Sequence, residues 1–455
     1  MAKSVTKDMT SGSPIGLILK FSLPMLIGNV FQQIYFFVDS VVVGKFVGEN
    51  ALAAVGATGP LMFLIIGLSF GLSIGISVVI AQYFGAKELD NVKKAFASAT
   101  YLVIGVSIIM GIVGFLSARS LLELLGTPPE IIGQSELFMK ISFAGVLGVT
   151  CYNGMAAVLR ALGDSITPLI FLAVACILNV VLDIVFVYFW HWDVPGVAIA
   201  TTISQNVAAI GCTIYALIKV KLLRIPIREF KPDIEILKKC IKLGVPIALQ
   251  NAFVSISMIA LQFVINSYGP LVVAANTAYS RIEALVLMPG MSVGAALASY
   301  TGQNVGAGNL DRAKKGYHAA ARIIIIFSLV MLPVIYFGGE SVMRLFSDKD
   351  STEVVHVGAN AMRITCFFYS AVGMIFITRN FLSGAGDIHI PMIMGLTEVV
   401  CRIAFAIILP IYFGVYGIWW ATSINWVITA IVGILREASG KWKDKALIRS
   451  QVSKI

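Results

Sequence analysis

Apolar stretches long enough to cross a bilayer recur along this chain, each closed by a short polar turn. Twelve can be counted, at about 15–45, 51–81, 95–117, 134–159, 168–190, 195–219, 241–267, 271–302, 318–337, 357–382, 391–411 and 415–435. A helix needs roughly 20 apolar residues to span about 30 Å of hydrocarbon. A membrane β-barrel would instead alternate in polarity every second residue, and stretches such as Leu102–Phe115 and Leu169–Leu178 do not. The pattern predicts an all-α membrane protein with twelve transmembrane helices.

Composition agrees: 58% of the 455 residues are apolar and 13% charged, against about a quarter charged in soluble domains. A soluble globule is excluded, and little chain remains for a soluble domain. The polar start, Met1–Ser13, leads into an apolar run with no small-residue cleavage pattern, so the first helix is expected to be retained. The six cysteines, Cys151, Cys176, Cys212, Cys240, Cys366 and Cys401, lack CxxC or CxxH spacing and read as small hydrophobes.

The net charge of +10 is spread over alternate loops and forms no single groove-sized patch, so no nucleic-acid partner is expected. Lysine and arginine concentrate at the termini and in the even-to-odd loops, whereas the opposite side carries Lys45, Arg119, Arg344 and Lys349. The positive-inside rule then puts both termini in the cytoplasm, and the expected location is the cell inner membrane.

The chain is also duplicated. Ala81–Ala95 (AQYFGAKELDNVKKA) and Gly302–Gly316 (GQNVGAGNLDRAKKG) match at seven of fifteen positions; Gly163, Asp164 and Pro168 correspond to Gly386, Asp387 and Pro391, and Pro24 to Pro246. The expected layout is an N-terminal lobe (1–220), a basic cytoplasmic linker (221–240), a C-terminal lobe (241–436) and a basic tail (437–455). With six helices per copy, the two lobes are expected to be related about the membrane normal, around a central cavity that opens by alternating access.

Ionisable groups inside a bilayer cost roughly 2.5–3.5 kcal/mol each on insertion scales, so those that persist are candidates for function. In the first half, Gln32, Tyr35, Phe36 and Asp39 share one face of the first helix. Asn179 and Asp183 share a face of the fifth, and Thr201, Thr202 and Gln205 lie on the sixth. Two carboxylates with an amide and a hydroxyl supply the hard oxygen ligands Na+ takes, and such paired carboxylates can equally hold a proton. Pro24 removes a backbone hydrogen bond within the first helix and is a candidate conformational element.

The second half differs. Arg402 stands where Asn179 stands in the first, four residues after Glu398, and the eighth helix carries Arg281 and Glu283. These charges are expected to pair off, either structurally or in substrate binding and gating. The Gly-Ala-Gly runs from Gly306 and Gly384 follow no strand and do not end in Gly-Lys-Ser/Thr, so they read as turns, with Asp164 and Asp387 placed to cap the next helix. Without a Walker, HExxH, CxxC or GxSxG motif, neither ATP hydrolysis nor another enzyme activity is expected, and no cofactor.

Taken together, Pro24 with Asp39 and the following VVVG, the Gln82–Ala86 turn, Arg160–Pro168 (RALGDSITP), Asn179 with Asp183, and Gly196–Ser204 resemble the prokaryotic branches of the multidrug and toxic compound extrusion (MATE) transporters over nearly the whole chain. The resemblance implies a cation site for H+ or Na+ at Asp39, Asn179, Asp183 and Thr201, and no such site in the second half, whose seventh helix core and tenth helix lack acidic residues. It also implies amphiphilic, often cationic, small-molecule substrates in a cavity lined by Met25, Gln32, Tyr35, Phe36 and Asn153. A monomer in contact with membrane lipids, exporting such compounds by antiport, is the expected protein. The alternative is a flippase for a lipid-linked precursor, left open by Arg281 and Arg402.

Overall fold

The computed structural model describes residues 6–345 and 352–446, which form helices joined by short turns with no strand among them. Lys349, counted above on the side opposite the termini, and the tail beyond 446 lie outside the described residues. The helices are α1 (Pro14–Val42), α2 (Glu49–Gly85), α3 (Leu89–Leu124), α4 (Pro129–Ala144), α5 (Val146–Ala161), α6 (Ile166–Asp183), α7 (Asp193–Lys219), α8 (Ile234–Asn266), α9 (Pro270–Gly306), α10 (Leu310–Arg344), α11 (Thr352–Thr365), α12 (Tyr369–Ala385), α13 (His389–Phe413) and α14 (Gly417–Ala438). Helices α4 and α5 form one span bent by 47°, and α11 and α12 form another, joined by a 3-10 turn at Cys366–Phe368. The 50 residues from His389 to Ala438 would reach about 75 Å as one helix. They break instead at Gly414, where φ is +55°, and α13 and α14 pack on each other as two spans. Twelve spans result among the described residues.

The outward faces carry large apolar side chains with no protein cover, such as Leu116, Phe263 and Phe337 at 76%, 78% and 79% exposed, while Gln82, Gln303 and Asn304 are fully buried. Exposed apolar surface on this scale suits hydrocarbon and not water.

The duplication is visible in the backbone. Helix α2 ends with Lys87 N–H donating to Phe84 O and Glu88 N–H to Tyr83 O; α9 ends identically, with Gly308 to Val305 and Asn309 to Asn304. This C-terminal cap needs a left-handed residue, and Lys87 and Gly308 supply it at φ +60° and +77°.

The chain forms two compact units, one of residues 1–8 and 23–248, the other of 9–22 and 249–455. The changeover falls beside Pro24 in α1 and just after Pro246 in α8. The stretch expected to be a linker belongs to the first unit. It makes 3-10 turns at Lys221–Leu223 and Ile227–Glu229, and α8 begins inside it at Ile234. Hydropathy placed that start at 241 because the first turns of α8 are charged and lie beyond the apolar window.

Close approaches depend on glycine. In the first unit, a Cβ on Gly71 would strike the backbone of Ala248, and one on Gly75 would sit 2.6 Å from the nitrogen of Gly244. Gly71→Ala is therefore expected to cost about 1–3 kcal/mol through overpacking, measured as a lower melting temperature in detergent. Gly105→Ala, where nothing lies within 4 Å, serves as the control. Equal melting of the two variants would refute the packing argument.

Candidate functional site

Within the first unit, α1, α6 and α7 bring the predicted polar residues together. Asn179 and Asp183 are fully buried, one turn apart on α6, and Tyr35 is 6% exposed on α1. The Tyr35 hydroxyl donates to Thr201 Oγ1 at 3.1 Å, and Asn179 Nδ2 donates to the same oxygen at 3.4 Å. Asp39, one turn beyond Tyr35, lies close to both the Tyr35 and Asp183 side chains. Asp39, Tyr35, Asn179, Asp183 and Thr201 thus make one connected set of oxygen and amide groups.

Thr202 is turned away. Gly145, at the bend between α4 and α5, leaves the room its side chain fills, and a Cβ there would collide with it. Both carboxylate-bearing helices continue as π-helix just past the cluster, at Val43–Val47 and Ile184–Phe189, and such segments are frequent at functional sites.

The candidate cavity residues are less coherent. Met25 and Gln32 are half-buried on α1 and Asn153 is buried on α5, and none of the three joins the hydrogen-bonded set among the described residues. The Phe36 side chain lies outside what the structure describes. Pro24 sits within α1, which continues through it.

In the second unit, Arg402 Nη2 donates to Glu398 Oε1 at 2.8 Å, and Arg379 Nη2 to Glu398 Oε2 at 3.1 Å. Glu398 and Arg402 are buried and Arg379 nearly so. Glu283 accepts a hydrogen bond from the Tyr279 hydroxyl and feels the charge of Arg402. The expected partnership of Arg281 with Glu283 is corrected: Arg281 is exposed and in no ion pair among the described residues, because positions i and i+2 point to nearly opposite sides of a helix. Arg379 was missed; it sits just inside the predicted end of its span, where a basic residue reads as part of the cytoplasmic rim.

The two turn aspartates also diverge. Asp164 Oδ1 accepts from the backbone N–H groups of Ile166 and Thr167, each at 3.0 Å, as a helix cap should. Asp387 is not a cap: its Oδ2 takes the Arg436 guanidinium at 2.6 Å, a partner 49 residues away. The cysteines are all free.

The family model described as MatE matches residues 24–185 and 246–408, once per half. The "Probable multidrug resistance protein YpnP" of Bacillus subtilis is 31% identical over 97% of this chain and 98% of its own. The "Multidrug export protein MepA" of Staphylococcus saprophyticus is 24% identical, covering 92% of each. Among solved structures, one described as the outward-facing conformation of a multidrug resistance MATE family transporter superposes with TM-score 0.90 at 27% identity, over 98% of this chain and 99% of that one. A MOP superfamily transporter from Pyrococcus furiosus, whose binding pocket is described as of reverse polarity, superposes at 0.89 with 27% identity, over 97% and 99%.

Proposed function

The chain belongs to the multidrug and toxic compound extrusion (MATE) family of membrane transporters, and from that premise we propose that it exports amphiphilic, often cationic, organic compounds in exchange for H+ or Na+. The observation that carries the reading is the close approach of the Asp39 and Asp183 carboxyl groups inside the membrane. Two carboxyl groups hold such a contact when they share a proton, and a small cation between them can replace that proton. Thr201, Asn179 and Tyr35 supply the neutral oxygens that complete either arrangement.

Alternating access would then follow the occupancy of this cluster, with α1 flexing where Pro24 leaves its backbone hydrogen-bond ladder incomplete. The multidrug names of the relatives support the substrate class. On this reading the protein is a monomer of the cell inner membrane, with both termini cytoplasmic as the spread of Lys and Arg over its loops indicates. Of the two arginines behind the flippase reading, Arg402 is engaged by Glu398 and so is poorly placed to receive a pyrophosphate, whereas Arg281 stays outside that network.

The test is efflux of a fluorescent cationic compound from proteoliposomes under separately imposed pH and Na+ gradients. One of the two is expected to drive export. Export at equal rates with both gradients collapsed would overturn the antiport reading.

A further inference from the structure

Between α7 and α8 the chain is built as a surface. Its 3-10 turns are held against α3: Tyr101 donates its hydroxyl to Phe230 O at 3.1 Å, Asp233 N–H donates to Ser98 Oγ at 2.9 Å, and Phe230 packs on the rings of Phe96 and Tyr101. Arg224 Nε closes the end of α7 by donating to Leu217 O at 2.7 Å. A cavity of about 410 Å³ opens there between Tyr101, Leu217, Arg224, Ile227 and Phe230.

The depth of this cavity follows from α3. Its charged start ends at Lys94 and no further charge appears before Arg119, so the headgroup level lies near Lys94. Tyr101 lies about 10 Å deeper at 1.5 Å per residue. Ile227, at the rim of the same cavity, is 95% exposed. Around it Lys219, Lys221, Arg228 and Lys231 are exposed. An apolar tip and cavity ringed by cations at the headgroup boundary complement an anionic amphiphile.

We propose that the segment from Lys219 to Lys231 is a docking site for an anionic phospholipid of the cytoplasmic leaflet. Its phosphate is held by the basic ring, and its acyl chain lies over Ile227 and along the cavity. A phospholipid suits the site better than a soluble acidic protein, because it brings an acyl chain for the apolar tip and cavity together with an anionic head for the surrounding cations.

The test is native mass spectrometry of the full-length protein released from mixed phosphatidylglycerol and phosphatidylcholine nanodiscs. The native chain is expected to retain phosphatidylglycerol preferentially. The double variant Arg228→Gln/Lys231→Gln should lower that retention by roughly tenfold or more, whereas Lys441→Gln/Lys443→Gln, on the other basic segment, leaves it unchanged. Circular dichroism and melting temperature verify that each variant is folded. Equal retention of the two lipids by the native chain, or undiminished retention in the Arg228 and Lys231 variant, would overturn the proposal.

Discussion

Asp39→Asn is expected to lower gradient-driven export by roughly a hundredfold or more while leaving the protein folded. At an effective dielectric constant of about 20, a carboxylate roughly 4 Å from a cation contributes about 4 kcal/mol, which exceeds the 2.7 kcal/mol or so of a hundredfold change in affinity. Asparagine keeps the size and hydrogen-bonding reach of the side chain but removes both the charge and the site for a proton. Asp183→Asn, at the fully buried second carboxyl of the cluster, should have an effect of the same order. Tyr35→Phe removes a hydroxyl only and should cost several-fold. Initial rates of efflux in proteoliposomes, compared at matched protein incorporation, provide the measurement. Either aspartate variant retaining gradient-dependent export within about threefold of the native rate would show that the cluster is structural.

The second large effect is on stability. Glu398 is the shared carboxylate of Arg379 and Arg402, and Glu398→Ala takes it away from two buried guanidinium groups. Removing one partner of a buried ion pair costs about 3–5 kcal/mol, whereas replacing the whole group with apolar residues of similar volume is often neutral or stabilising. The melting temperature in detergent should therefore fall sharply in Glu398→Ala and recover in a Glu398→Met/Arg379→Met/Arg402→Met triple variant. Transport by the triple variant then separates the two roles left open by the sequence: retained export means a structural network, and lost export in a folded protein means substrate binding or gating. A Glu398→Ala variant that melts with the native chain would refute the buried-pair argument.

Much of the fold was legible without coordinates because lipid imposes a simple rule on a sequence. The interior of a bilayer penalises charge and unsatisfied backbone, so the apolar runs reveal the spans, and the matching turns at Lys87 and Gly308 reveal the duplication. The same penalty singled out Asp39, Asn179 and Asp183, since polar residues kept at that cost and at helical spacing must share a face.

Helix ends were read less well. Apolar windows placed the third span at about 95–117, whereas α3 runs from Leu89 to Leu124, because a helix continues past the hydrocarbon as long as its hydrogen-bond ladder does.

The sequence by itself determined the twelve spans, their duplication and which polar residues lie on common faces, all of them consequences of local periodicity and of what lipid tolerates. Only the tertiary structure decided that Thr201 and not Thr202 meets Tyr35, that Arg379 joins Glu398, that Asp387 serves Arg436 instead of capping a helix, and that the stretch after Lys219 is pinned to α3. Each of those outcomes depends on side chains from different helices meeting at a few ångströms. Adjacent residues on a helix differ in direction by about 100°, so which one meets a neighbouring helix depends on how the helices rotate and pack, and the chain's own periodicity carries no record of that.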